Sequence, residues 1–216
     1  YKALLILTAA GLGRNVFAQA KIYLERVAAF FENHPKGKVV AAHFYVDLGK
    51  ILSLRFERQN AKKYLEKAID LYDQLGVEYE EYLASVYEIA GYNERWACSE
   101  TTEKYFMKAI QINEHKFGII CLENKYLHKN LGEVYETKQE YGKALIEYQK
   151  AQEIFETKLN PMHPELIEIF LHMKRMYLMN QEFVKAAECC QKAYLVAEYL
   201  EDNLEKVRCL EEKGDV

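Results

Sequence analysis

Val27, Ala68, Ala109, Ala151 and Ala193 stand 41, 41, 42 and 42 residues apart. Three residues before each comes a bulky or thiol side chain: Leu24, Leu65, Phe106, Tyr148 and Cys190. Seven residues before each comes a small one: Ala20, Ala61, Thr102, Ala144 and Ala186. Small residues recurring on one helical face, with a period near 40, predict paired helices stacked into a solenoid. That constraint removes most sheet-based architectures. It also points to a binding surface rather than a catalytic one.

Composition agrees. The chain has 216 residues and is 50% hydrophobic, enough for an extended core. Only 3 Pro and 10 Gly leave little room for sandwich turns or a flexible linker. The even spacing predicts one continuous array. Net charge is −4 and no Lys/Arg run exceeds two residues, which argues against nucleic-acid binding. No stretch is long and apolar enough to span a bilayer, so no membrane insertion is expected. The five cysteines (Cys98, Cys121, Cys189, Cys190 and Cys209) follow no disulfide framework. They read as small buried apolar residues in a reducing, cytoplasmic setting.

The start of the chain imitates a secretory signal, with Lys2, the apolar run Ala3 to Ala10, and Ala18-Gln19-Ala20. Ala20 nevertheless falls in register with the later repeats. The segment therefore reads as the first helix of the array, and the chain as a piece of something longer. Ala3 to Leu7 is apolar nearly all round and calls for cover on more than one side.

The fourth unit, Lys125 to Glu156, shows the pattern most clearly. Leu131, Gly132 and Tyr135 are spaced along a first helix. Tyr141, Ala144, Tyr148 and Ala151 are spaced along a second, after the polar turn Thr137 to Glu140. Gly132 and Ala144 are small where two helices approach; a larger side chain would overpack the contact. Tyr135, Tyr141 and Tyr148 fill the space around them.

This pattern resembles the tetratricopeptide repeat. The second unit shares it through Leu48-Gly49, Leu52, Ala61, Leu65 and Ala68, with Arg58 where an aromatic is expected. The fifth shares Met173, Tyr177, Phe183, Ala186 and Ala193, with Lys174 in place of Gly. The first matches through Leu7, Phe17, Ala20 and Leu24. The third keeps Phe106 and Ala109, but Asn93 and Ser99 fit poorly, so a reshaped turn is expected near Gly91 to Arg95. The 41–42-residue period and the link Asn160-Pro161-Met162-His163-Pro164-Glu165 are similar to the kinesin light chain type of repeat. Pro164 suits the first turn of the next helix.

The resemblance implies an all-α, right-handed superhelical solenoid of stacked antiparallel helix pairs. Five hairpin repeats are expected at about 1–38, 39–77, 78–118, 119–160 and 161–199, with a capping helix or a further repeat in 200–216. The helix pairs read as 2–14 with 15–34, 39–55 with 58–76, 78–92 with 96–115, 120–137 with 141–158, and 164–179 with 182–199.

The family's register also implies that first helices line a concave groove that holds a peptide segment of a partner protein. The residues it places there are Lys50, Tyr87, Tyr126, Lys129, Asn130, Glu133, His172 and Arg175. Asn130 stands out, because an amide both donates and accepts and so pairs with an extended peptide unit. Lys50, Lys129 and Arg175 are suited to acidic groups of a ligand. No three consecutive units reproduce the Lys/Asn set of chaperone-binding members, so capture of a chaperone tail is not expected.

Catalytic signals are thin. Gly11-Leu12-Gly13 is only a fragment of a dinucleotide fingerprint, and no His-Glu-x-x-His or zinc-spaced Cys/His set occurs. Cys121 and His128 would lie two helical turns apart, too far for a ready dyad. The chain therefore reads as an adaptor or scaffold that is not an enzyme and takes no cofactor or metal. Two alternatives stand beside it: a peptide-sensing domain of a larger regulator, and a subunit that self-associates through Leu5, Ile6 and Leu12 of its apolar first helix.

Overall fold

The computed structural model describes residues 14–34, 36–95 and 100–201. The expected helix 2–14, with Leu5, Ile6 and Leu12, and the expected final helix near 202–212 lie outside them. Among the described residues the chain is helical, with short 3-10 turns and no strand. It divides into two compact units, residues 1–112 and 113–216.

The first unit contains α1 (Arg14–Glu32), α2 (Lys38–Leu54), α3 (Arg58–Leu75), α4 (Glu80–Glu94) and most of α5 (Glu100–Phe117). The second contains α6 (Lys125–Thr137), α7 (Tyr141–Lys158), α8 (Glu165–Met179) and α9 (Phe183–Tyr199). Within the units, helices pack on their chain neighbours: α1 on α2, α2 on α3 and α3 on α4 in the first, α6 on α7, α7 on α8 and α8 on α9 in the second. This is the local, hairpin-by-hairpin contact of a repeat protein.

The small-residue stripe is the seam of these hairpins. Ala61, Thr102, Ala144 and Ala186 are fully buried, as are Ala68, Ala109, Ala151 and Ala193. The first repeat differs: Val27 is half-buried and Ala28 takes the fully buried place.

Glycine marks the close approach inside the second, third and fourth pairs. A Cβ on Gly49 would lie 2.6 Å from the Leu65 side chain, one on Gly91 2.6 Å from the Phe106 ring, and one on Gly132 2.7 Å from the Tyr148 ring. The fifth hairpin inverts the sizes. Lys174, buried, stands in the glycine's place, and Cys190 stands where the others have Leu65, Phe106 or Tyr148.

These contacts correct the register of the third repeat. Gly49 and Leu65 are 16 residues apart, as are Gly132 and Tyr148, but Gly91 and Phe106 are 15 apart. The third hairpin is one residue shorter, so counting back from Phe106 shifts its first helix by one. The reshaped turn expected near Gly91 to Arg95 is not found there: Gly91 to Glu94 close α4, and residues 96–99, which follow, lie outside the described residues. Glu94 is buried against Lys62 and its carbonyl accepts a hydrogen bond from Thr102 Oγ1 at 3.0 Å.

The other turns repeat one geometry. Phe56, Gln139 and Gln181 adopt φ of 62°, 61° and 61°. Their neighbours Glu57, Glu140 and Glu182 bond back to Leu52, Tyr135 and Tyr177, and their carbonyls accept from the amides of Ala61, Ala144 and Ala186. The left-handed residue closes one helix and the following glutamate opens the next.

Helix α6 begins at Lys125, after a 3-10 turn at Leu122–Asn124, rather than near 120. Cys121 is therefore extended, with φ −109° and ψ 146°, and shares no helix with His128. Asn113 closes this turn by donating to Asn124 Oδ1 at 2.9 Å, both residues being buried.

Candidate functional site

In the second unit, polar side chains cross from α6 to α8 in two clusters. Lys129 sits at the start of α6 with only 9% of its surface exposed. Its Nζ donates to Glu165 Oε2 at 2.8 Å and to Glu168 Oε2 at 2.6 Å. Burial opposes the charge on Lys129, but the hydrogen bonds to the two carboxylates outweigh it and hold the ammonium above its ordinary range.

The second cluster gathers about Glu136, near the end of α6. Tyr148 OH donates to Glu136 Oε2 at 2.7 Å, and His172 Nδ1 lies 2.7 Å from the same oxygen. Arg175 Nη2 is 2.6 Å from His172 Nδ1 and 3.5 Å from Glu136 Oε1. The His172 ring stacks on Tyr148 with centroids 5.0 Å apart. One ring nitrogen thus faces a guanidinium donor and a carboxylate acceptor: without a hydrogen it accepts from Arg175, and with one it donates to Glu136. Burial would raise the Glu136 carboxyl, but bonds from His172 and Tyr148, with the charge of Arg175, bring it below the usual carboxylate range.

Asn130 lies beside the first cluster and is buried, Glu133 is half-buried, and Tyr126 packs edge-on to Phe155 at 5.6 Å. Five candidates from the fourth and fifth repeats therefore share one stretch with Tyr126: Lys129, Asn130, Glu133, His172 and Arg175. Lys129 and Arg175 already hold carboxylates of the chain itself.

Tyr87 is placed differently. It is 5% exposed, stacks obliquely on Tyr105 at 6.0 Å, and its hydroxyl accepts from Lys108 Nζ at 3.1 Å. With Gly91 as the close-approach glycine, Tyr87 occupies the buried site held by Tyr45, His128 and Phe170 in the other repeats. The one-residue shortening of the third hairpin moves it off the lining.

Lys50 is exposed at the rim of a cleft of about 450 Å³ in the first unit. Leu54, Phe56, Ile89 and Tyr92 form its apolar wall. Arg58 and Arg95 join Lys50 around it. Ser53 Oγ donates to Asn93 Oδ1 at 2.8 Å, and Asn93 Nδ2 donates to the Arg58 carbonyl at 3.0 Å. The sequence register included Lys50 and missed the cleft, whose signal was present in Arg58, an aromatic position filled by a cation.

The sequence pattern also missed the partner of His128. This imidazole, 1% exposed, takes the place of a bulky core residue, and its Nδ1 lies 2.6 Å from Glu147 Oε2. A buried imidazole needs a partner, and that requirement could have drawn attention to Glu147.

Cys121, Cys189 and Cys190 are free and buried, as their small-apolar reading requires. Burial raises the Cys121 thiol and pushes that of Cys189 up to about 11, so both stay protonated near neutrality. Among the described residues no group of three His, Cys, Asp or Glu is placed to hold a metal ion, and no helix is long and apolar enough to cross a membrane.

No protein-family model and no curated protein matches this chain. Solved structures do. BtubC (BKLC) from P. vanneervenii superposes with a TM-score of 0.72 at 18% identity, over 87% of this chain and 73% of that one. A Podosopora anserina putative kinesin light chain with nearly identical TPR-like repeats gives 0.72 at 12% identity, over 94% and 97%. The Rap conjugation gene regulator of plasmid pLS20, in complex with the Phr* peptide, gives 0.56 at 15% identity, over 91% of this chain and 53% of the regulator. Helical hairpins of this spacing, seam and likeness identify the fold: the chain is an all-α solenoid of the tetratricopeptide-repeat type.

Proposed function

We propose that this chain is a binding scaffold whose second unit holds an extended peptide segment of a partner protein along α6 and α8. The observation that carries this reading is the pair of fixed polar clusters with Asn130 and Glu133 between them. Lys129 and Glu136 are seven residues apart on one helix, or about 10 Å along its axis. About three residues of extended peptide cover that length. The anchoring side chains are held by neighbours, so little of their order is lost on binding. The likeness to a regulator solved with a bound peptide supports the same reading.

The charge balance reverses the polarity expected from Lys129 and Arg175. Those two cations stand with four carboxylates, Glu133, Glu136, Glu165 and Glu168, three of which they already engage. The segment that complements this face carries Lys or Arg.

The test is binding of partner peptides by Asn130→Ala and Arg175→Glu proteins, read by calorimetry beside far-UV circular dichroism. Asn130→Ala weakens binding about tenfold with helicity unchanged, the loss of one or two buried hydrogen bonds. Arg175→Glu favours basic peptides further. Retained affinity in Asn130→Ala would sink the assignment. Lys129→Glu is a poor probe, because it would set a buried carboxylate against those of Glu165 and Glu168.

A second reading has a specific support. The chain spans about half of the Rap regulator it resembles, 53% of its length. As the sensing part of such a protein, it would pass occupancy of this face to an attached effector domain. Peptide-dependent activity of an effector in the full-length protein would favour that reading over a passive scaffold.

A further inference from the structure

Four aromatic rings gather in the first unit where α2, α3 and α4 meet. At the centre is Tyr72, near the end of α3 and 1% exposed. Tyr82, in the first turn of α4, stacks on it at 5.8 Å with the ring planes 10° apart. His43, on α2, stands edge-on to both, 5.8 Å from Tyr72 and 5.2 Å from Tyr82. Its Nδ1 donates to the Val39 carbonyl at 2.7 Å, which holds the ring in place. Tyr79, in the short 3-10 turn before α4, lies 6.4 Å from Tyr72 and 6.2 Å from Tyr82. Tyr82 is 49% exposed and His43 is exposed, so the cluster opens to solvent.

The second unit has the same arrangement with one addition. Counting from Gly49 and Gly132, His43 corresponds to Tyr126; counting from Leu65 and Tyr148, Tyr72 corresponds to Phe155. Tyr126 and Phe155 are again edge-on, at 5.6 Å. There the chain lays its own cation on the rings: Lys125 Nζ is 4.9 Å from the centre of Tyr126, and Lys129 beside it is paired with Glu165. In the first unit Ala42 and Val46 stand at the two lysine positions, and Tyr82 stands where Glu165 would be. Both cations are gone and an exposed ring is added. Elsewhere the chain covers rings with lysine, Lys67 over Tyr45 at 4.9 Å and Lys108 over Tyr87 at 5.0 Å. Among the described residues no Lys or Arg lies over His43, Tyr72, Tyr79 or Tyr82. Lys38, at the start of α2, reaches Gln74 Oε1 instead, at 2.9 Å.

We propose that this cluster receives a lysine side chain of a partner protein, its ammonium on the exposed face of Tyr82 between His43 and Tyr79, as Lys125 lies on Tyr126. The faces of aromatic rings are negative and attract an ammonium. The lysine stem adds apolar contact along the rings. The surrounding charge has the matching sign. Glu78, Glu80 and Glu81 alternate with the two tyrosines in sequence, and Asp47 is near enough to act on the Tyr72 hydroxyl. The site belongs to the first unit and does not rest on the α6–α8 face.

The test is titration of the full chain with end-blocked pentapeptides that carry lysine or the neutral norleucine at the centre, and with choline. Binding is followed by NMR at the ring signals of Tyr79 and Tyr82, which keeps the readout at this site. The lysine peptide binds about fivefold tighter than the norleucine peptide, the effect of one cation on an exposed ring. Tyr82→Leu, read at Tyr79, removes that preference, and Tyr82→Phe, which keeps the ring face, retains it. Residue 82 is at the surface, and melting curves check that both variants fold. Asn130→Ala, on the α6–α8 face, leaves the titration unchanged. Equal binding of the two peptides by the unaltered chain overturns the proposal. So does a lysine preference that survives in full in Tyr82→Leu or disappears in Tyr82→Phe. Ring shifts caused by choline but not by the lysine peptide would also overturn it, assigning the cluster to a small cation rather than to a protein.

Discussion

Glu147 is a carboxylate that burial alone would push toward its neutral form. Hydrogen bonds from His128 and Lys150 outweigh burial and bring it below the ordinary carboxylate range. Its contribution to stability is therefore fully present above its unfolded value, about pH 4.3, and is lost as pH falls through the lower folded value. Glu147→Gln removes that dependence. The drop in melting temperature between about pH 5 and pH 3 shrinks by about 2–4 °C, the size of a change near 1 kcal/mol in a chain of this length. Melting curves at the two pH values check it; an unchanged drop would separate Glu147 from acid unfolding. Ala144, wholly buried in the α6–α7 seam, gives a second test. Ala144→Leu overpacks the contact and lowers stability by about 1–3 kcal/mol in denaturant unfolding. The seam was legible in the sequence because a packing contact demands a small side chain and leaves a period. The His128–Glu147 and Lys129–Glu165 pairs were not, since long polar side chains choose partners across helices without a fixed spacing.

Helices were legible to within a few residues, because each carries a buried face over four or five turns. The observed α3, α7, α8 and α9 differ by at most one residue at either end from the pattern read off the sequence. The third hairpin shows where that legibility ends. Its Gly91 contact with Phe106 fixes the register, and the chain there is one residue shorter, a difference that small-residue spacing along the second helix cannot reveal. Tyr87 was assigned to the lining for that reason and is found in the core. The turns carry a prediction of their own. Gln139 holds φ 61° with a side chain that disfavours it. Gln139→Gly relieves the crowding of Cβ against the backbone and raises stability by about 1 kcal/mol, less the added freedom of the unfolded chain. Denaturant unfolding checks it, and a fall in stability would mean that the glutamine side chain outweighs the strain.

At the level of the whole molecule, repetition and departure from it have separate roles. The shared seam and the shared turn build the hairpins, and they recur in both compact units. The chemistry lies where the repeats differ: an open ring cluster in the first unit, and two polar clusters along α6 and α8 in the second. Composition could not anticipate this, because a net charge of −4 averages over all faces of the molecule. The paired exchange of Lys174 for glycine and Cys190 for a bulky residue reaches furthest. It makes the two helices of the fifth hairpin a mated set. Joining α8 to the second half of any other hairpin would drive Leu65, Phe106 or Tyr148 bulk into the lysine stem. Genetic recombination, or a designer grafting repeats, can therefore cut this chain in links such as 160–164, but not within the tight bend that joins the halves of a pair.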